Sequence, residues 1–220
     1  ILKMMKNIKK QGYTDVLSIN ISGGLSGTPK MMESLKVEAK NIGLNLHVID
    51  SKSISMGIGL LVMKAAELIE QKIALSEIME RLEAFRKEIK VVFVVKTLEY
   101  LRKGGRIGLV EGAIGDILNI KPIIGVNEQG VYYSIAKVRG WNRALKRMVS
   151  LIKESVGNKN IDLAVLHGAA REEAQKVLEK LKEELNMDNI GQLFTNHVGA
   201  GIGVHTGPGV VGIVFCPKKA

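Results

Sequence analysis

Cysteine is nearly missing from this sequence: there is one, Cys216, in 220 residues. That excludes an internal disulfide framework and fits a reducing, cytosolic setting. With four scattered histidines beside the lone cysteine, no zinc-binding spacing can be drawn. Aromatic residues make up only 4%, and none is interleaved with basic residues as a stacking surface for nucleobases requires. No apolar run approaches the roughly 18–20 residues of a membrane span, so stable membrane insertion is not expected.

What is present is ordinary in kind and uneven in charge. A composition of 46% hydrophobic and 25% charged residues belongs to a soluble globular chain, and 220 residues suffice for one large domain or two small ones. The net charge of +10 suits nucleic acid, an acidic membrane surface or an acidic partner. The scarcity of aromatics argues against the first, so no nucleic acid is expected as a partner. The opening stretch, "ILKMMKNIKKQGYTDV", reads as the second half of a helix feeding a strand. An N-terminal portion is therefore expected to be missing.

Periodicity alternates between strand and helix along the first part. Residues 16–21 form a short apolar strand candidate, 28–42 a helix with Thr28 as its cap and Pro29 in the first position, and 44–50 a second strand. Two helices follow, the second expected to be capped by Ser76. This order predicts a parallel sheet flanked by helices. Near Ile89 the texture changes. "KVVFVVKT", "IKPIIGVN", "GVYYSIAKVR", "DLAVLHG", "IGQLFTNHV" and "VVGIVFC" read as strands, two of them joined by a hairpin turn at Glu128-Gln129-Gly130. Helices are expected at 142–154 and 171–185. The prediction is an α/β protein of two domains: residues 1–88 carrying a parallel sheet and left incomplete, and residues 89–220 carrying a mixed, largely antiparallel sheet with helices packed on it.

Several stretches are placed to carry chemistry. "ISGGLSGTPK" joins a strand to a helix, where α/β sheets bind ligands. Ser26 and Thr28 add hydroxyl donors and Gly27 allows close backbone approach, so an anion suits the loop; a mere glycine turn suits it too. No Gly-Lys-Ser/Thr follows, which excludes a Walker loop, and Ser26 lacks a Gly-x-Ser-x-Gly elbow. Asp50 opens "DSKSISMGIG" and reads best as a carboxylate tying down loop N–H groups. "LRKGGRI" sets Arg106 beside a double-glycine turn. Lys137, Arg139, Arg143, Lys146, Arg147 and Lys153 form an acid-free basic stretch around Trp141, either a solvated face or a docking patch for an acidic partner. "HVGAGIGVHTGPGVVGIVF" crowds Gly199, Gly201, Gly203, Gly207 and Gly209 into what reads as one loop that no helix follows, and its Pro208 would hold His205 in place.

Together "ISGGLSGT", "VIDSKSISMGIG", "TLEYLRKGGRIG", "ILNIKPIIGV" and "HTGPGVVGIVF", in this order, resemble the DegV family of bacterial fatty-acid-binding proteins. The resemblance implies a first domain like that of dihydroxyacetone kinases and one long-chain fatty acid held between the two domains. It implies that Ser26, Thr28 and His205 bind the carboxylate, that Arg106 supports them, and that Ser22, Gly27 and Gly207 shape the pocket loops. It further implies a carrier without chemistry of its own, needing no cofactor, that presents its fatty acid to a fatty acid kinase in the cytoplasm for phospholipid synthesis. Arg139, Arg143 and Arg147 are the candidate docking residues on charge grounds. Met56, Ile58, Leu60, Leu61 and Ile114 are apolar candidates for the acyl slot. The alternative is a phosphotransfer subunit related to dihydroxyacetone kinase. Two departures stand out: the family normally begins with more chain, which supplies a first strand and a further carboxylate-binding loop, and Pro29 replaces a usual aromatic.

Overall fold

The computed structural model describes residues 1–113 and 119–218. In chain order its elements are α1 (Leu2–Lys10), β1 (Asp15–Asn20), α2 (Thr28–Ser34), α3 (Lys36–Asn41), β2 (Asn45–Asp50), α4 (Met56–Glu70), α5 (Leu75–Glu88), β3 (Lys90–Val94), α6 (Glu99–Lys103), β4 (Ile120–Val126), β5 (Tyr132–Arg139), α7 (Trp141–Val156), β6 (Ile161–Gly168), α8 (Arg171–Glu184), β7 (Ile190–His197), α9 (Ala200–Thr206) and β8 (Val210–Pro217). Strands β1 and β2 pair in parallel, from Asp15 opposite Asn45 to Asn20 opposite Asp50. The other strands form a six-stranded sheet in the order β5-β4-β3-β8-β6-β7, antiparallel except where β6 and β7 run parallel. The expected α/β fold class, a parallel sheet followed by a mixed one, is what the chain adopts.

Alternation along the strands of the large sheet divides its side chains between two cores. Val92, Val94, Leu163, Val165, Val211 and Ile213 pack against α7 and α8. Val91, Phe93, Ala164, Leu166 and Val214 face the other way, against Leu61, Leu68, Ile78 and Leu82 of α4 and α5. Leu25 and Ile49 join this second core, so it ties the small sheet to the large one. A third cluster, built on Met5, Met32, Ala39, Leu44 and Leu46, sits under α1, α2 and α3. Each fully buried Leu or Ile contributes about 1.5–3 kcal/mol. Cys216 lies in β8 at 0% exposure, and burial, reinforced by the Asp162 charge, pushes its thiol up to about 12.

Three local expectations are corrected. The run 28–42 is not one helix: the Leu35 N–H bonds back only three residues, to the Met32 carbonyl at 3.1 Å, and this tight turn separates α2 from α3. Thr28 does not cap α2. It is the first helical residue behind Gly27, and Ser76 likewise lies inside α5, behind Ala74. The glycine-rich stretch before His205 is a helix, α9, although each interior glycine disfavours one by about 1 kcal/mol. Packing overrides propensity there: α9 lies against α6, with His205 on Gly104 and Gly207 on the Tyr100 ring.

Candidate functional site

The loop from β1 to α2 is held from two sides. Ser22, at 0% exposure, donates its hydroxyl to the Gly130 carbonyl at 2.7 Å and accepts the Gly24 N–H at 3.1 Å. Gly130 belongs to the β4–β5 turn and has φ +78°; a Cβ there would lie 1.9 Å from Ser22 Oγ, so only glycine fits. On the other side Asp50 Oδ1 accepts the N–H groups of Gly23 at 3.1 Å and Lys52 at 2.9 Å, while Oδ2 pairs with Lys52 Nζ at 2.7 Å. Partial burial works to raise this carboxyl, but the Lys52 side chain and the two N–H groups outweigh it and hold it below the usual carboxylate value. Asp50 ties down loop N–H groups, as its position suggested.

Beyond these anchors the loop presents its hydroxyls. Ser26 Oγ and Thr28 Oγ1 lie 2.8 Å apart, both half-buried, and Ser26 Oγ also accepts the Thr28 N–H at 3.3 Å. This is a local serine turn ahead of α2, whose cap position is Gly27 with no side-chain cap. Two hydroxyls sharing one hydrogen bond leave one O–H over, available to an acceptor outside the loop. Gly27, between them, is exposed, and a Cβ there would meet nothing within 4 Å.

Arg106 joins this loop to a second region. Its Nε donates to the Leu25 carbonyl at 3.2 Å and its Nη1 to the Gly104 carbonyl. Gly104 in turn lies directly on His205: a Cβ there would meet Nδ1 at 2.2 Å. Loop 22–28, turn 104–106 and α9 therefore meet at one junction. Gly207 ends α9 with φ +69°, its N–H on the Gly203 carbonyl at 2.8 Å and its backbone against the Tyr100 ring. His205 Nδ1 is buried with no hydrogen-bond partner among the described residues. Leaving such a group unpaired costs about 1–3 kcal/mol. No direct hydrogen bond joins His205 to Ser26 or Thr28.

Under α9 runs a narrow cavity of about 30 Å³, walled by Ile202 and Thr206, by Phe93, Leu166 and Val210 of the sheet, and by Ile54. Met56, Ile58, Leu60 and Leu61 do not line it, and Leu60 and Leu61 are core residues. Ile114 lies outside the described residues. Ser55, at the cavity rim, was missed by sequence reasoning. It has φ +52°, a strained backbone for a residue with a side chain and one that collects at functional sites.

The basic stretch lies elsewhere. Arg139 ends β5, Arg143 and Arg147 lie on α7, and all three are exposed. Arg147 is paired with Glu154 at 2.6 Å and Lys153 with Glu184 at 2.7 Å. Arg139, Arg143 and Lys146 make no ion pair among the described residues. Trp141 turns inward, with Lys96 Nζ 4.0 Å from its ring centroid. Among the described residues no three His, Cys, Asp or Glu are grouped to hold a metal, and no helix is long and apolar enough to cross a membrane.

Known proteins match this chain along nearly its whole length. A DegV domain-containing protein of Clostridium acetobutylicum is 38% identical over 216 residues, which span 98% of this chain and 75% of that protein. One of Clostridium perfringens is 38% identical over 213 residues, 97% of this chain and 74% of that protein. Among solved structures, a fatty acid binding DegV family protein from Streptococcus agalactiae superposes with TM-score 0.88 at 29% identity, covering 99% of this chain and 75% of that one. DegV from Bacillus subtilis, described as a fatty acid binding protein, gives TM-score 0.85 at 28% identity over 99% of this chain and 77% of that one. The family model described as "Uncharacterised protein, DegV family" covers residues 1–218, and this chain belongs to the DegV family.

Proposed function

We propose that this chain is a fatty-acid carrier. The observation that carries the reading is the convergence of loop 22–28 and the Gly104–Arg106 turn on α9, which brings the Ser26–Thr28 hydroxyl pair and His205 to one junction. An ionised carboxylate cannot be buried without donors. Ser26 and Thr28 supply hydroxyls, His205 supplies the N–H of its outer ring nitrogen, Nε2, Nδ1 being covered by Gly104, and Arg106 holds their loops together. The apolar cavity behind α9 starts on the helix that bears His205 and is the slot for the tail. A long acyl chain has to widen it. The relatives from Streptococcus agalactiae and Bacillus subtilis, both described as fatty acid binding, support the same class of ligand.

In this reading the units 1–88 and 89–220 flank the fatty acid. The protein acts in the cytoplasm and performs no chemistry itself. It presents the carboxylate to a fatty acid kinase, which forms an acyl phosphate for phospholipid synthesis, and Arg139, Arg143 and Arg147 form the docking face. Because Arg147 is already paired with Glu154, Arg139 and Arg143 carry most of that attraction.

The test is mass spectrometry of an organic extract from freshly purified protein. Wild type is expected to yield a long-chain fatty acid at near-stoichiometric amount, and the S26A/H205A double variant far less. Equal loading of both would reject this site. An empty wild-type extract that stays empty after incubation with oleate would reject the carrier reading.

A further inference from the structure

On the other face of the large sheet, a second crevice opens where β6 and β7 end. These are the parallel neighbours of the large sheet, joined through α8, and in open α/β sheets ligands lodge outside the carboxyl ends of such strands. The crevice measures about 320 Å³, at the lower end of small-molecule sites. Its polar walls are His167, His197, Arg171, Thr195, Asn196 and Gln175, and no carboxylate lines it. His167 and His197 are register partners on the two strands, with ring centroids 4.6 Å apart and edge to face.

His167 is only 9% exposed, and its Nδ1 accepts the Ala170 N–H at 3.4 Å. Burial first, then the His197 and Arg171 charges, hold its pKa below the ordinary histidine value; Glu173 opposes them, but is itself engaged by Lys96 at 3.1 Å. The ring is therefore neutral near pH 7. With Nδ1 accepting, its proton sits on Nε2, a donor without a partner among the described residues, on a ring that lines the crevice. That tautomer is wrong for a metal, which needs a lone pair at Nε2, and right for an anionic oxygen. Arg171, exposed at the start of α8, makes no ion pair among the described residues and offers a two-pronged guanidinium. The Thr195 hydroxyl adds another donor. Such a donor-rich, carboxylate-free wall needs a ligand with several oxygens.

We infer that this crevice binds a phosphate dianion, free or as a small monoester. The inference is independent of the carrier reading. It is tested by calorimetric titration with inorganic phosphate, phenyl phosphate and acetate, on wild type, Arg171→Ala and His167→Gln. Phosphate and phenyl phosphate are expected to saturate at one per chain, phenyl phosphate at least as tightly if the natural ligand is a monoester. Arg171→Ala is expected to weaken binding roughly tenfold to hundredfold, the loss of one charge-assisted hydrogen bond. Because Arg171 is exposed, this variant keeps the fold even if His167→Gln does not. Absence of saturation at millimolar phosphate, unchanged affinity in Arg171→Ala, or acetate binding as tightly as phosphate would each overturn the inference. Fatty acid content measured on the same samples is expected to be unchanged in Arg171→Ala, so that failure of one reading leaves the other standing.

Discussion

Ser22 and Ser26 belong to one loop and have opposite fates. Ser22 is sealed: its O–H is given to Gly130 and its oxygen takes the Gly24 N–H, so it has no donor left for an anionic ligand. Ser26 stays half-buried, bonded only within its own loop to Thr28. The first half of the loop is thus a joint between the two sheets, and the second half is a presenting edge. What separates the two serines is whether backbone groups outside the loop have already consumed the hydroxyl's donor.

The contrast can be broken most forcefully at the joint. Gly130→Ala forces a left-handed backbone on a residue with a Cβ and drives that Cβ into Ser22. Together these cost about 2–5 kcal/mol. For a chain of this size that is a fall of roughly 5–15 °C in Tm. A scan showing less than about 2 °C would mean that Ser22 simply swings aside. Ser22→Ala leaves the Gly130 carbonyl and the Gly24 N–H without their partner, for a loss of about 1–3 kcal/mol, read as a lower urea midpoint at unchanged slope. Ser26→Ala should leave stability within about 0.5 kcal/mol while fatty acid affinity drops, and a stability loss matching that of Ser22→Ala would erase the distinction.

The smallest effect is one of pH. Asp50 anchors the joint, and its folded pKa lies below the unfolded value of about 3.9. Its contribution is therefore present above that value and is lost as pH falls through the lowered folded one. Asp50→Asn should be less stable than wild type at neutral pH and show a shallower acid limb below about pH 4 in urea melts. Parallel acid limbs would remove Asp50 from the account.

Much of this was legible in the sequence because the relevant signals are local. Strand and helix order followed from periodicity, and the hydroxyl loop, the double-glycine turn and His205 stood out as short motifs. What escaped depends on distance along the chain. Nothing near Ser22 announces a partner 108 residues away. His167 and His197 read as scattered histidines until β6 and β7 lay side by side. Helix α9 escaped for a different reason: its glycines argue locally for a loop, and only its packing against α6 outvotes them. The cavity under α9 could not be assembled from sequence, because its walls come from the loop after Asp50, from β3, β6 and β8, and from α9.

The chain's single thiol gives the protein a clock. Cys216 sits in β8, flanked by β3 on one side and β6 on the other, sealed from water and held protonated. A thiol-reactive dye can reach it only when the core that α4 and α5 form over this face of the sheet opens. The rate of labelling then times that opening directly, with no engineered probe, and the same stopwatch run with and without oleate reads how firmly a bound tail holds that core closed.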